Sequence, residues 1–215
     1  MSVILSKTSK LDGIQSWSLQ ALDTCPASIK DDGTLVDACK GCYATTGNYN
    51  FPNVKAPRIA NKEDWKRDEW VSDMTKALDN ARYFRWFDSG DMYAIELAKK
   101  IAAVMKATPH VKHWLPTRMQ KFAKFQNVIT HMQSMPNVSV RFSSDSVTGQ
   151  FTKGLHGSVI IPTPTDATPD MTLCKAYDNG GKCNGCRACY DKNVSVIAYP
   201  AHGVKMAKVI RIATA

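Results

Sequence analysis

The alternation of apolar and polar positions predicts short buried strands separated by amphipathic helices. Apolar runs rich in β-branched or aromatic residues predict strands over 14–21, 83–87, 111–116, 138–142, 157–162 and 194–199. Apolar residues at helical spacing predict helices over 93–107, 119–135 and 61–81, the last of these capped by Asn61. Strands that alternate with helices are typical of an α/β fold in which right-handed crossovers join parallel strands.

The number of strands limits the architecture of this sheet. Six strands are too few for a closed eight-stranded barrel, so the pattern favours an open or partial barrel or a doubly wound sheet. In either architecture the carboxyl ends of the parallel strands lie on one face, where ligands bind. We therefore expect a small-molecule ligand at that face.

Polar residues follow each predicted strand and would meet on this face. They are Cys25, 88–91, Thr117, Arg118, 143–145, Thr163, Thr165 and His202. Strand ends carry loop residues in every protein, which is enough to explain the serine, threonine and glycine. An aspartate or arginine at several of these exits favours a shared polar site.

The composition is that of an ordinary globular protein with one domain over residues 1–215. No apolar run reaches the ~18 residues of a membrane span, and the first residues lack the apolar core of a signal peptide, so we expect a cytoplasmic location. The net charge is +9, but Lys and Arg are spread along the chain without a basic block. Weak nucleic-acid binding is therefore a secondary hypothesis.

The seven cysteines fall into two sets. The N-terminal cysteine set is Cys25, Cys39 and Cys42, and the C-terminal cysteine set is Cys174, Cys183, Cys186 and Cys189. An odd count in a reducing compartment argues against a complete disulfide framework. Clustered cysteines there are more typical of metal binding.

The C-terminal cysteine set has the spacing of an iron–sulfur site. Its last three members form C-x₂-C-x₂-C, and Cys174 supplies a fourth thiolate. Four thiolates suit either tetrahedral zinc or an iron–sulfur cluster. The close spacing favours a [4Fe–4S] cluster, whereas zinc, the alternative, is more often held by two separated C-x₂-C pairs.

The N-terminal cysteine set provides only three thiolates, so one metal position would stay open to water or substrate. Alternatively, His202 or a cysteine of the other set supplies the fourth ligand and closes this position. A single site shared by both sets is a further alternative.

Asp91 and Arg118 are the candidate catalytic residues. Asp91 is placed to act as an acid or base, or to hold a ligand amine. Alternatively, it only caps the N-terminus of the next helix, which is a common role for aspartate. Arg118 is suited to clamp a carboxylate or phosphate, unless it is an unremarkable surface arginine. His202 is a candidate ligand or proton carrier, and the other histidines lack ligand spacing.

Five segments resemble those of a phage-borne family called gene product 88-like, and the resemblance runs over most of the chain. They are DTCP, CKGCYATTGNY, FRWFDSGDM, HWLPTRM and CNGCRACYDKNVSVIAYPAHG. The N-terminal motif is also similar to that of a phage-associated family related to radical S-adenosylmethionine (SAM) enzymes. This resemblance implies a single radical-SAM-like domain, a partial (β/α)6-type open barrel with a cysteine-rich cluster-binding segment at 174–190, in the host cell cytoplasm.

The same resemblance implies roles for individual residues. Cys25, Cys39 and Cys42 would hold a [4Fe–4S] cluster whose open iron binds SAM, while Ser89, Gly90 and Asp91 would contact the SAM amino group. The C-terminal cysteine set would hold an auxiliary cluster, giving one or two clusters in all. The spacing here is C-x₁₃-C-x₂-C, where those enzymes have C-x₃-C-x₂-C.

Three functions follow as hypotheses. The first is a phage-encoded iron–sulfur protein with a radical-SAM-like fold, which, if it is an enzyme, cleaves SAM reductively. The second is a non-catalytic module stapled by zinc or a cluster that binds nucleic acid or a host protein. The third is a redox or electron-transfer protein.

Overall fold

The computed structural model describes residues 2–214 and contains one mixed sheet of eight strands. The strands are β1 Ser6–Thr8, β2 Ile14–Trp17, β3 Tyr83–Trp86, β4 Lys112–Thr117, β5 Val138–Ser143, β6 Gly157–Ile161, β7 Met171–Leu173 and β8 Val196–Pro200. Their order across the sheet is β1-β2-β3-β4-β5-β6-β8-β7. Only the β1–β2 pair is antiparallel, so the expected α/β fold with a mostly parallel sheet is confirmed.

The six predicted strands correspond to β2, β3, β4, β5, β6 and β8. These six lie side by side in chain order, with no point at which the order reverses. A doubly wound sheet requires such a reversal, so the doubly wound alternative is wrong for this chain. The short strands β1 and β7 were not predicted, because three residues carry too little pattern to be recognised.

Six α-helices lie within residues 2–214. They are α1 Asp37–Lys40, α2 Pro52–Asp64, α3 Trp70–Ala77, α4 Ile95–Ala107, α5 Gln126–Ser134 and α6 Val204–Ala213. No helix in this part of the chain combines the length and the apolar character needed to cross a membrane. The predicted helix 119–135 is helical in α5, but its first part forms two 3₁₀ turns.

The predicted helix 61–81 is wrong in its bounds. The structure has α2 and α3 there, separated by a break at 65–69. Asn61 is buried inside α2 rather than capping a helix, and its side-chain amide donates to the carbonyls of Ile4 and Ser18. Asn61 therefore fastens α2 to the chain on either side of β1 and β2.

The two faces of the sheet differ in polarity. Trp17, Phe84, Trp86 and Val140 point to the face that packs against α3, α4 and α5. The intervening residues on the same strands, among them Arg85 and Arg141, are buried and polar and point to the opposite face. That polar face is covered mainly by loops and short turns, with Cys39 of α1 and Met206 of α6 at the cavity, and the candidate site lies there.

His113 on β4 belongs to the apolar face and is fully buried. Trp86 Nε1 donates to His113 Nδ1 over 3.3 Å, and His113 Nε2 lies 2.9 Å from Thr108 Oγ1. The Thr108 hydroxyl donates in turn to the carbonyl of Val104. Both ring nitrogens of a neutral imidazole are thus satisfied, and burial lowers the pKa of His113 to about 3.

This arrangement predicts acid sensitivity. The unfolded chain takes up a proton on His113 near pH 6.5, whereas the folded chain resists it down to about pH 3. The free energy of unfolding therefore decreases as the pH falls through this window, by about 3 kcal/mol at pH 4. Urea unfolding at pH 7 and pH 4 should show a smaller acid loss for His113→Gln than for the wild type. Equal losses in the two proteins would contradict the assignment.

Candidate functional site

A cavity of about 430 Å³ lies at the carboxyl ends of the parallel strands. Residues that follow β2, β3, β4 and β8 line it, together with the end of β5. Six of the seven cysteines also line it, and they come from both sets: Cys25, Cys39, Cys42, Cys174, Cys183 and Cys189. Cys186 is exposed. The two sets, far apart in sequence, thus face one space.

The N-terminal cysteine set is held by short turns beside the sheet. Cys39 lies in α1, and the backbone N–H of Cys42 donates to its carbonyl over 3.1 Å. The N–H of Ala38 donates to the carbonyl of Asp145 over 2.9 Å, which ties α1 to the loop after β5. These bonds hold Cys39 and Cys42 near the ends of the strands.

Burial governs the acidity of these thiols. Burial raises the pKa of Cys25 to about 12, and the Asp91 carboxylate and the other two thiolates of the set add to the effect. Burial also raises the pKa of Cys39 and of Cys42, while the Arg118 guanidinium opposes it at both thiols. Binding of a metal here must therefore displace protons, because the thiolate is the ligand.

The loop 88–91 after β3 packs tightly against the chain that leads to Cys25. Gly90 has φ +81°, and a Cβ there would lie 2.6 Å from Leu19 Cβ and 2.7 Å from Thr24 Oγ1. The Ser89 hydroxyl donates to the carbonyl of Leu19 and accepts a hydrogen bond from Arg58 Nε. Ser89 and Gly90 thus fix the position of this loop against the Cys25 loop.

Gly90→Ala is expected to lower the free energy of unfolding by about 3 kcal/mol, since it combines a positive φ with a steric clash. Gly33→Ala is the matched control, because Gly33 has φ +78° and open space around the position of a Cβ. The control should lose only about 1 kcal/mol. Chemical denaturation of both variants measures the difference, and equal losses would mean that the close packing has no energetic weight.

Asp91 is buried and fully engaged within the protein. Its Oδ1 accepts hydrogen bonds from the Thr117 hydroxyl at 2.7 Å and the Met92 N–H at 2.8 Å, and its Oδ2 accepts one from the Arg118 N–H at 2.9 Å. Burial raises the pKa of Asp91, and these donors oppose the rise. The residue does not cap α4, whose N-cap is Ala94. Asp91 joins the exits of β3 and β4 beside Cys25.

Asp88 is the centre of a larger network at the cavity wall. Its carboxylate accepts hydrogen bonds from Arg85 Nη1 at 2.9 Å, from Arg58 Nη2 at 3.1 Å and from the Tyr49 hydroxyl. The Tyr43 hydroxyl donates to the Asp88 carbonyl over 2.7 Å. Two arginines therefore share one carboxylate, and the network fastens the 43–50 segment to the exit of β3.

Arg118 points toward the N-terminal cysteine set from the exit of β4. Its Nε donates to Asp145 over 3.2 Å, and its Nη2 donates to the Ser144 carbonyl over 2.7 Å. Lys121 also pairs with Asp145. Arg118 is therefore a partly buried, paired arginine that lines the cavity rather than an unremarkable surface residue.

The C-terminal cysteine set lies over the polar face of the sheet. The N–H of Cys174 donates to the Ala198 carbonyl on β8, and the N–H of Cys183 donates to the Lys10 carbonyl, each over 2.8 Å. The Sγ of Cys189 lies 3.2 Å from the Tyr199 hydroxyl. Two separate parts of the chain, β8 and the segment at Lys10, thus position this set.

Arg141 anchors the segment that carries Cys189. Its buried guanidinium donates to the carbonyls of Ala188, Cys189 and Val194 at 2.9 Å each and to that of Asp191 at 2.7 Å. Two of these carbonyls also accept backbone N–H groups in turns, Ala188 from Asp191 over 3.1 Å and Asp191 from Val194 over 3.3 Å. Arg141 adds a donor to all four and ties this turn-rich segment to β5.

The remaining predicted residues differ in whether they reach the cavity. His202 lines the cavity with its ring 4.1 Å from that of Tyr177, and burial lowers the pKa of His202. Thr163 and Thr165 do not line the cavity, so their expected place in a shared site is wrong. Thr163 instead forms a capping box with Asp166 at an exposed turn, because the chain turns outward after β6.

Within residues 2–214, no three Cys, His, Asp or Glu side chains are arranged to hold a single metal ion. The thiolates of each set nevertheless raise one another's pKa electrostatically. At Cys183, burial is the main cause of a raised pKa, and Cys189, Cys174 and Cys186 add to it. Thiolates are the ligands of iron–sulfur clusters, which join cysteines across several inorganic atoms. The chemistry of both donor sets fits such a group.

Four residues that shape the site were not predicted from the sequence: Lys10, Arg85, Arg141 and Tyr199. Arg85 and Arg141 each stand between apolar residues of a buried strand, in YFRWF and VSVRF. A charged residue at such a position indicates a polar interior face, and this signal was present in the sequence. Lys10 and Tyr199 reach the cavity through the tertiary fold alone.

Comparison with known proteins identifies a family. The family model described as gene product 88 matches residues 4–208. No curated protein and no solved structure matches the chain. Because the match covers nearly the whole chain, this protein belongs to the gene product 88 family.

Proposed function

We propose that this protein is a phage-encoded iron–sulfur protein with a radical-SAM-like partial (β/α)6 barrel. The observation that carries the proposal is that six cysteines from two distant sets line one cavity at the carboxyl ends of the strands. Thiolate-only donor sets of three and four residues are those of cubane clusters. The carboxyl ends of parallel strands are also where such folds place their chemistry.

The strand order supports the barrel part of the proposal. Six parallel strands follow one another across the sheet in chain order, as the strands of a barrel do. The helices α3, α4 and α5 cover one face and leave the other face polar. This division of the two faces suits a sheet that curves around an interior site.

In the proposed assignment, Cys25, Cys39 and Cys42 hold a [4Fe–4S] cluster with one iron open to SAM. When bound, such a cluster supplies the electron for reductive cleavage of SAM. Ser89, Gly90 and Asp91 line the cavity beside this set, in the place where the resemblance puts the groups that contact the SAM amine.

The protein's own residues have definable roles around this group. Asp91 holds the exits of β3 and β4 together beside Cys25, and it acts by positioning them. Arg118 favours the thiolate forms of Cys39 and Cys42 by placing a guanidinium near both. The buried position of Cys39 limits the access of water to this end of the cavity.

The C-terminal cysteine set holds the second, auxiliary group in this proposal, a [4Fe–4S] cluster with zinc as the alternative. Cys174, Cys183 and Cys189 face the cavity, whereas Cys186 is exposed. That exposure favours one further role, electron transfer between a redox partner and the interior of the protein. Exposed metal groups exchange electrons more readily than buried ones because partners approach them closely.

Paramagnetic resonance spectroscopy tests whether the protein carries a cluster that binds SAM. The protein is reconstituted anaerobically with iron and sulfide and reduced, and its paramagnetic resonance spectrum is recorded with and without SAM. A changed spectrum and formation of 5′-deoxyadenosine are expected. A cluster signal that SAM leaves unaltered would remove the SAM chemistry and leave electron transfer as the function.

A further inference from the structure

We propose that the cavity binds a small molecule through a carboxylate or phosphate group that is held by Arg85 and Lys10. Neither residue belongs to the cysteine sets or to the loop assigned to SAM. The inference therefore goes beyond the proposed function and concerns the ligand that the cavity selects.

Arg85 carries a hydrogen-bond donor that the protein leaves unused. The side chain lines the cavity and is 9% exposed, with its guanidinium 4.6 Å from the centroid of the Trp114 ring. Nη1 is paired with Asp88, whereas Nε has no partner among residues 2–214. Nη2 has only a contact at 3.5 Å with the Tyr43 hydroxyl.

The unused edge of Arg85 has a particular shape. Nε and Nη2 form one side of the planar guanidinium, and two parallel N–H groups there match the two oxygens of a carboxylate or phosphate. A buried donor without a partner is unfavourable, so an anionic group that accepted from this edge would be stabilised. The Trp114 ring keeps the guanidinium plane in place beside the cavity.

Lys10 supplies an unpaired cation to the same cavity. Within residues 2–214 its ammonium group forms no hydrogen bond and no ion pair. It lies 5.6 Å from the centroid of the Tyr199 ring and 5.5 Å from that of Tyr177. The charge of Arg85 also acts on Tyr199, so this tyrosine lies near both cations.

The balance of charge around the cavity favours an anion. Its charged lining consists of three cations, Lys10, Arg85 and Arg118, and two carboxylates, Asp88 and Asp91. Both carboxylates already accept hydrogen bonds from the protein, and Arg118 is paired with Asp145. Lys10 and the free edge of Arg85 are therefore the cationic groups that remain for a ligand. The volume of about 430 Å³ is within the range of small-molecule sites.

One other role would use the same cations. Burial raises the pKa of Cys183 and of Cys189, and the charges of Lys10 at Cys183 and of Arg85 at Cys189 oppose that rise. The two cations would then only compensate the thiolates of a loaded C-terminal cysteine set. The experiment must therefore be done on the metal-loaded protein as well as on the metal-free one.

Calorimetric titration with inorganic phosphate and with succinate, at constant ionic strength set with chloride, tests the proposal. Lys10→Met and Arg85→Lys are each expected to weaken binding at least tenfold, the latter because lysine keeps the charge but loses the two-pronged edge. Lys7→Met, which removes an exposed lysine of β1, is the matched control and should bind as the wild type does.

Binding of phosphate alone, succinate alone or both supports the proposal and identifies the anionic group. Lack of binding of either anion up to the millimolar range overturns it, as does binding that neither variant weakens. Binding that disappears when metal is loaded also overturns it, because the cations then serve the thiolates. A protein that binds the anions but never takes up iron would refute the proposed function and leave this inference standing.

Discussion

Arg141→Met is expected to lower the free energy of unfolding by about 4 kcal/mol and to release the segment that carries Cys189. The Arg141 side chain is fully buried, and its guanidinium donates to four carbonyls of the segment 188–194. Methionine fills a similar volume but donates no hydrogen bond. All four carbonyls then lose a donor, and each one left without a partner costs about 1–3 kcal/mol before the loop relaxes.

Two measurements separate this effect from a general loss of packing. Urea unfolding gives the stability, and Arg211→Met on the exposed surface of α6 is the control, with an expected change below about 0.5 kcal/mol. Alkylation followed by mass spectrometry should show faster modification of Cys189 in Arg141→Met than in the wild type. Unchanged stability and unchanged alkylation would refute the anchoring role of Arg141.

The second large expected effect is the loss of iron when the cysteines of either set are replaced. The triple variant Cys25→Ser, Cys39→Ser, Cys42→Ser is expected to lose about four iron atoms per chain, the content of one [4Fe–4S] cluster. The triple variant Cys174→Ser, Cys183→Ser, Cys189→Ser is expected to lose the same amount independently. Serine is a poor ligand for these irons, so each triple variant should lose the cluster of its own cysteine set and keep that of the other set.

Iron and acid-labile sulfide assays on the two triple variants decide between two sites and one. If each variant keeps half of the wild-type iron, the sets hold separate clusters. If either variant loses all iron, the sets share a single cluster. Circular dichroism of both variants serves as the control for folding, and full iron retention in both would contradict ligation by these cysteines.

The six longer strands were predictable because each is an apolar run bounded by turn residues. The break between α2 and α3 was not, because long-range contacts cause it. Lys100 Nζ on α4 donates to the carbonyls of Trp65 and Arg67, which turns these carbonyls out of a helical path. Arg67 also pairs with Asp64 and Asp73 across the break. The Arg67 pairs are local, but the Lys100 contacts join residues 35 and 33 positions apart, so a local pattern contains no record of them.

The site was predictable in part for the same reason. The cysteines and the loop 88–91 were found because their residue types and their places after strands are visible in the sequence. The covering of the polar face by the C-terminal cysteine segment was not visible, since it depends on Arg141 and on the aromatic contact between Trp114 and Tyr190. The position of Lys10 beside the cavity likewise depends on the tertiary fold.

The metal content of the wild-type protein purified without oxygen tests iron–sulfur binding most directly. Iron, acid-labile sulfide and zinc are measured per chain on the same sample. We expect iron and sulfide in equal amounts, about four or about eight of each per chain, with a brown colour. A colourless protein that contains zinc and neither iron nor sulfide would contradict it.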